Sequence, residues 1–451
     1  MNPVRAVLML LACVVAIVAS APLHAAVRPP KLQYQMSTLP NGLRVILSED
    51  HSVPIVHMSL TYHVGSKNER PGRTGFAHLF EHMMFKGSRN VEPEAHTSFI
   101  SSVGGSSNAY TTEDETVFWE TFPAQYMPLA LWLEADRMAT LRVEQEAFER
   151  EREVVKEERR MRVENQPYGR LTEIIYGHAY TTHPYRHATI GSMADLEAAS
   201  IADVRDFHRA YYVPENATLT VVGDFDTAQG LQLVSQYFGR VPKAERPVPR
   251  DIPKEPTNQT RERRFTVEES WPLPAVVVAY HIIYDGHPDS YPLHIVSKIL
   301  SDGQSARIPR ELVYNKRIAL TAFGSGNIIE DPSLFYAVAI VQPGQTPEAA
   351  EKALVAEFDK MKATGVTEHE LQRAKNQFAR DYIVGRESNE EKASHLSHAA
   401  VIHNDIRTAD GEFDIFTNLT VADVQRVART YFNENNRMVL YILPKATGGG
   451  R

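Results

Sequence analysis

"SIADVRDFHRAYYVPENATLTVVGD" (200–224) and "TVADVQRVARTYFNENNRMVLYILP" (420–444) align without a gap, with Ala, Asp, Val, Arg, Tyr and Asn coinciding at six positions. Each stretch opens with Ser or Thr three residues before Asp, a helix-start signal. Apolar residues at helical spacing follow, then a turn at the Asn, then an apolar run that reads as a buried strand. Internal duplication at a period of 220 residues is the simplest account of the two copies. Convergence of two helix–strand units is the alternative.

Outward from the first copy, patterning predicts strands at 43–49, 55–62, 106–112, 115–122 and 217–223. Helices are expected over 75–87, 126–138, 143–163 and 200–212. Several strands follow one another without an intervening helix. The predicted fold class is therefore α+β: two homologous halves, each a largely antiparallel sheet packed with helices. Between them, "RVPKAERPVPRDIPKEPTNQTRER" (240–263) carries five prolines and many charges. Sequence of this sort is extended and exposed, which suits an interdomain linker. The expected organisation is a signal segment at 1–25, an N-terminal domain at 30–239, the linker at 240–263 and a C-terminal domain at 264–445.

The 451 residues suffice for two or three domains, and 43% hydrophobic with 23% charged residues describes a folded chain. A formal net charge of −8 and the lack of a basic block exclude nucleic acid as a natural partner. The opening "MNPVRAVLMLLACVVAIVASAPLHAA" has Arg5, an apolar run from Ala6 to Ala19 and small residues suited to cleavage near Ala25 or Ala26. It reads as a secretory signal peptide, with an N-terminal anchor as the alternative and no membrane span after its removal. Cys13 is the only cysteine, so the mature chain has none, and any metal site must use His, Asp or Glu. A cysteine-free exported chain fits a bacterial periplasm.

The chemistry concentrates in "GFAHLFEHMMFKGS" (75–88). On a helix, Phe76, Leu79, Phe80, Met83 and Met84 share one side, and His78, Glu81 and His82 share the other. Two imidazoles at i and i+4 can bind one divalent ion. A carboxylate beside the second can hold the ion's water and take its proton. Zinc suits such a set, which is HExxH reversed. A catalytic zinc needs a third protein ligand. In "FEREREVVKEERRMR" (148–162), Glu151, Val154, Val155 and Glu158 form a stripe extended by Phe148 and Met161. Glu149, Glu153 and Glu157 point elsewhere. A carboxylate on an apolar stripe needs a cation, so Glu151 and Glu158 are the candidates. His178, His183 and His187 lie in a loop with irregular spacing and read as surface or structural histidines.

HLFEH followed 76 residues later by the last Glu of "EREVVKEE" resembles the pitrilysin/insulinase metallopeptidases, the inverzincins that include the mitochondrial processing peptidase beta subunit. "LPNGLRVILSED" (39–50), "GGSSNAYTTEDETVFW" (104–119), "THPYRHATIGS" (182–192) and "VVGDFD" (221–226) also fit that family. The resemblance implies His78, His82 and Glu158 as zinc ligands, Glu81 as general base and Glu151 as the residue that orients the site. It implies that the strand at Asn108, Ala109 and Tyr110 pairs with the substrate backbone. The family fold, two homologous halves closing like a clamshell, admits flexible chains and excludes folded ones. No metal site is expected in the C-terminal half.

The function so implied is a zinc endopeptidase acting on peptides or unfolded segments. A peptide-binding scaffold with little activity is one alternative, and a non-peptidase zinc hydrolase is another. Family members that work alone carry, in a pattern like "SRLxxxLRExxGLAY", an Arg and a Tyr that reach the substrate and its oxyanion. Aligned on Arg307 and Ala319, "SARIPRELVYNKRIALTAF" (305–323) has Val313 and Leu320 at those two places. Neither donates a hydrogen bond, a loss of order 10²–10³ in rate per donor. A homologous partner chain supplying the Arg/Tyr pair is therefore expected, as in the two-subunit members of the family.

Overall fold

The repeated stretches occupy equivalent places in two sheets. The computed structural model describes residues 28–255 and 259–445. The expected signal segment lies outside the described residues. The first sheet contains β1 (Gln35–Thr38), β2 (Arg44–Glu49), β3 (Ile55–Tyr62), β4 (Ser106–Thr111), β5 (Thr116–Pro123) and β6 (Ala217–Gly223). Their order is β1-β2-β6-β3-β5-β4. The second contains β7 (Arg263–Glu269), β8 (Ala275–His281), β9 (Ala319–Asn327), β10 (Leu334–Val341) and β11 (Arg437–Pro444), in the order β7-β11-β8-β10-β9. In each sheet one pair is parallel, β2–β6 and β7–β11, and the rest are antiparallel. Without β1 the two sheets have the same connectivity. The fold is α+β with two like halves, as predicted.

The repeated residues explain why the two units fold alike. Ser200 with Asp203, and Thr420 with Asp423, form reciprocal capping boxes at the starts of helices Ile201–Tyr211 and Val421–Tyr431. After each helix an Asn closes the turn into the strand. Asn216 Nδ2 donates to the carbonyls of Tyr211 and His63, at 2.9 and 3.2 Å. Asn436 Nδ2 donates to those of Tyr431 and His281, at 2.7 and 2.8 Å. Each amide thus ties its helix to the end of the neighbouring central strand.

Neither sheet is covered by its own half alone. On the first, Val56, Met58, Leu60, Leu219 and Val221 pack with the helices of the N-terminal half. The opposite face, with His57, Ser59, Thr61 and Thr218, is also buried. Helix Asn389–Val401 from the C-terminal half lies there, with Ser397 Oγ 2.8 Å from Thr61 Oγ1. On the second sheet, Val276, Val278 and Tyr280 face their own helices. Ala275, Val277 and Ala279 face Ile174, Ile175 and Tyr176 of helix Leu171–Ala179, from the N-terminal half. Each half lends the other one helix.

Several boundaries differ from the sequence reading. The motif helix is Phe76–Met83, four residues shorter at its end than the predicted 75–87, because the chain passes into i→i−3 turns, Phe85 N–H to the His82 carbonyl and Lys86 N–H to that of Met83, before Gly87 redirects it at φ +93. The acidic helix is Gln145–Arg159, continued by a π-helical stretch at Arg160–Glu164. Helices Ala95–Ser102, Leu171–Ala179 and Thr227–Phe238 were not expected. Residues 240–255 carry no helix or strand, yet they are docked: Glu255 accepts from the amides of Thr181, Thr182 and His183 at 2.8–3.0 Å. The predicted linker range also takes in the start of β7 at Arg263.

Asn216→Ala leaves two carbonyls without their side-chain donor, a cost of about 1–3 kcal/mol for each that stays unsatisfied. Its urea midpoint should fall measurably, while the exposed Gln229→Ala should leave the midpoint unchanged within error.

Candidate metal centre

The motif helix starts at Gly75 with φ +89, where an added Cβ would stand 2.6 Å from the Ile190 carbonyl oxygen. Glu69, buried beneath this end, accepts from the amides of Gly75 and Ala77, both at 2.8 Å. A carboxylate here satisfies amides that have no partner within the helix and complements its positive end. Phe76, Leu79, Phe80 and Met83 are buried in the core. His78, Glu81 and His82 consequently face the acidic helix and β4.

Glu158 Oε2 lies 3.7 Å from His78 Nε2 and 3.4 Å from His82 Nε2. The three donor atoms all fall within 4.8 Å of one another. The other oxygen of Glu158 is held by Arg162, at 2.5 Å. Glu151, two turns earlier, places Oε2 3.4 Å from His82 Nδ1 and Oε1 2.9 Å from Lys86 Nζ. Glu149, Glu153 and Glu157 are exposed. The stripe is narrower than the sequence suggested. Val154 and Met161 are exposed, while Phe148, Glu151 and Val155 are buried and Glu158 is half-buried.

Glu81 Oε2 accepts a 2.5 Å hydrogen bond from Thr111 Oγ1 at the end of β4. β4 pairs with β5 on one side and is the edge of its sheet. Along it Asn108 and Tyr110 point outward and are exposed, and Ala109 and Thr111 point toward the helices. Tyr110 also lines a cavity of about 470 Å³ between the halves.

The protonation states favour a cation at this place. Burial, then the neighbouring His82 ring and Arg162, push His78 down to about 3, so its imidazole is neutral with a lone pair to offer. Burial acts against ionisation of Glu151, but its bonds to His82 and Lys86 outweigh that and hold it below the usual carboxylate range. With Nδ1 of His82 bonded to that carboxylate, its Nε2 is left facing Glu158. Burial raises Glu81, and the bond from Thr111 partly offsets it. Two imidazole nitrogens and one carboxylate oxygen are a donor set that fits zinc with one position left open.

Three residues here escaped the sequence reading. Lys86 continues the i, i+4 series of His78 and His82, which could have revealed it. Thr111 sits two residues after Ala109 and so shares its face. Glu69 carried no local signal. The other histidines do not join the cluster: His183 is buried with Nδ1 accepting from the Tyr185 amide, His178 bonds the Ile174 carbonyl, and His187 lies 3.7 Å from Glu69. Val313 packs against the C-terminal core, and Leu320 is exposed on β9. Arg317, where the aligned pattern has Gly, adopts φ +52, the left-handed conformation that position calls for.

Residues 44–192 match the family described as Insulinase (Peptidase family M16), and residues 198–378 match the Peptidase M16 inactive domain. The chain belongs to the M16 family of insulinase- and pitrilysin-like peptidases. It is similar to "Zinc protease PqqE" of Helicobacter pylori, with 31% identity over 436 residues, 96% of this chain and 98% of that protein. The crystal structure of a protease from Helicobacter pylori matches with TM-score 0.88 and 32% identity over 92% of this chain and 100% of that one. The periplasmic protease PqqL from Escherichia coli matches with TM-score 0.74 and 18% identity over 93% of this chain but 48% of that one. Among the described residues no helix is long and apolar enough to cross a membrane.

Glu158→Gln should lower bound zinc by one equivalent per chain, while Glu157→Gln, exposed and paired with Arg160, should retain it. Metal content by mass spectrometry decides between them, and equal losses would show that the ligand does not lie on the Glu151/Glu158 face of the helix.

Proposed function

We propose that the chain is an exported, zinc-dependent endopeptidase of the periplasm that cleaves peptides or unfolded segments. The observation that carries this reading is the convergence of His78, His82 and Glu158 beside a carboxylate, Glu81, next to the open edge of β4. Zinc held by those three residues would polarise a scissile carbonyl and make water acidic enough to lose a proton near neutrality. Glu81 is the proton acceptor. Its buried position raises its affinity for a proton, and Thr111 fixes the direction of its carboxylate. Glu151 sets the orientation of the His82 ring and is itself held by Lys86. The outward edge at Asn108, Ala109 and Tyr110 receives an extended peptide by strand addition, which reads backbone shape more than side chains.

Glu81→Gln removes the proton acceptor without removing a ligand. It should keep its zinc and lose essentially all turnover of a quenched peptide. Loss of zinc in that variant would make Glu81 a ligand instead.

The active unit contains a second, homologous chain. Val313 and Leu320 stand where donors to the oxyanion are expected, and neither side chain has a polar atom. The PqqL structure, about twice as long, accommodates this chain in half its length. A partner supplying an Arg and a Tyr would complete the site in the way a second half does within one longer chain. Purified alone, this chain should show little turnover, and adding the homologous chain should raise it by at least about 10²-fold. Full turnover by a verified monomer, or by a homodimer needing no other chain, would overturn the proposal.

A further inference from the structure

Helix Asn389–Val401, which covers the first sheet, ends at a second cluster of metal-binding groups remote in sequence from His78. His398 Nε2 lies 2.8 Å, and His403 Nε2 3.2 Å, from the same oxygen, Oδ2 of Asp285. The two rings meet at 75° with centroids 5.1 Å apart, and the three donor atoms lie within 4.8 Å of one another.

The supporting bonds leave the donor atoms pointing at a common centre. Asp285 Oδ1 accepts from the Gly286 amide at 2.8 Å, so Oδ2 is the oxygen left to the histidines. His403 is 5% exposed. Its Nδ1 is 2.8 Å from Thr408 Oγ1, and that hydroxyl donates its own proton to the Asp405 carbonyl at 2.8 Å. Nδ1–H of His403 must therefore be the donor to Thr408. The remaining nitrogen, Nε2, is buried without a hydrogen-bond partner of good geometry. In a neutral ring it aims a lone pair at a carboxylate oxygen, an arrangement that repels unless positive charge lies between them. Ligand atoms of a tetrahedral zinc with bonds of about 2.0–2.1 Å stand roughly 3.3 Å apart; the His403–Asp285 pair at 3.2 Å has that spacing, and the His398–Asp285 pair, at a hydrogen-bonding 2.8 Å, would open by about half an ångström to admit the ion. His398, 46% exposed, opens onto the cavity between the halves, which Glu412 also lines, so an ion can enter.

We infer that Asp285, His398 and His403 form a second site, for a divalent transition-metal ion of the zinc class. Its ligands come from the loop after β8 and from the end of the helix laid across the first sheet, all within the C-terminal half, against the expectation from sequence that this half holds no metal. The ion would pin that helix, and with it the join between the halves.

The test is zinc stoichiometry on the full chain, equilibrated with zinc sulfate and desalted. Wild type should hold two equivalents, Glu158→Gln one, and Glu158→Gln/His403→Gln none. His398→Ala, at a half-exposed position, is the second variant should the buried one misfold. Co²⁺ added to Glu158→Gln protein should give the visible absorption of a tetrahedral site, and His398→Ala in that background should abolish it. Unchanged metal content in folded His398→Ala protein would show that the cluster holds protons only, and would overturn the inference. If Glu158→Gln instead retained both ions, the His78 assignment would fail, and His398→Ala in the wild-type chain would still report on the second site.

Discussion

The central strands of both sheets are buried on both faces, and in each half the helices of that half cover one face only. The exchange of helices Asn389–Val401 and Leu171–Ala179 meets that constraint, and much of the structure follows from it. Burying Ile174, Ile175 and Tyr176 on the second sheet contributes of order 1.5–3 kcal/mol per side chain. Splitting the halves would forfeit this and expose the buried polar face of His57, Ser59 and Thr61. The join also contains charge. Lys67, 5% exposed, contacts Asp114 of the N-terminal half at 2.9 Å and Glu330 and Asp331 of the C-terminal half at 2.7 and 3.1 Å. A buried ammonium with three carboxylates penalises any arrangement in which one of them moves away. The halves therefore form one body, and the candidate metal centre is presented by a rigid frame.

That rigidity matters most at the motif helix, which is only eight residues long. An isolated helix of this length would not persist in water. It persists because Phe76, Leu79, Phe80 and Met83 are locked in the core and Glu69 holds its first amides. The geometry of His78 and His82 is thus inherited from apolar packing on the opposite face, and the acidic helix then brings Glu151 and Glu158 to the two rings.

The legible part of the sequence was the part whose signal is local. Five of the six strands of the first half, all but the short edge strand Gln35–Thr38, and the face shared by His78, Glu81 and His82 were readable from periodicity. The capped repeat at 200–224 and 420–444 likewise announced two like halves. Helix Leu171–Ala179 was missed because its apolar side covers a sheet about a hundred residues away in the chain, so nothing nearby explains it. Thr111 and Lys86 act through partners on other elements. Asp285 and His398 are separated by 113 residues, and only the fold makes them neighbours. Val154 was misassigned to the buried stripe because helical spacing cannot tell how wide a strip the neighbouring helix covers.

The two halves have equivalent sheet edges, β4 and β9, and the helices that meet these edges differ. In the first half the motif helix meets β4 through a side-chain contact, Glu81 with Thr111. In the second, helix Ser290–Ser301 occupies the corresponding place between β8 and β9, and it is apolar over Leu293, Ile295, Val296 and Ile299. Its hydroxyls bond to the strand backbone: Ser301 Oγ accepts from the Gly324 amide at 2.8 Å, and Ser297 Oγ from the Gly326 amide at 2.9 Å. Those two amides lie on the side of β9 away from β10, where an added strand would need them. They are already committed. An extended chain can therefore add to β4, beside the His78 cluster, but would have to break two hydrogen bonds to add at the same place on β9. One topology, present in both halves, thus leaves one edge open and closes the other.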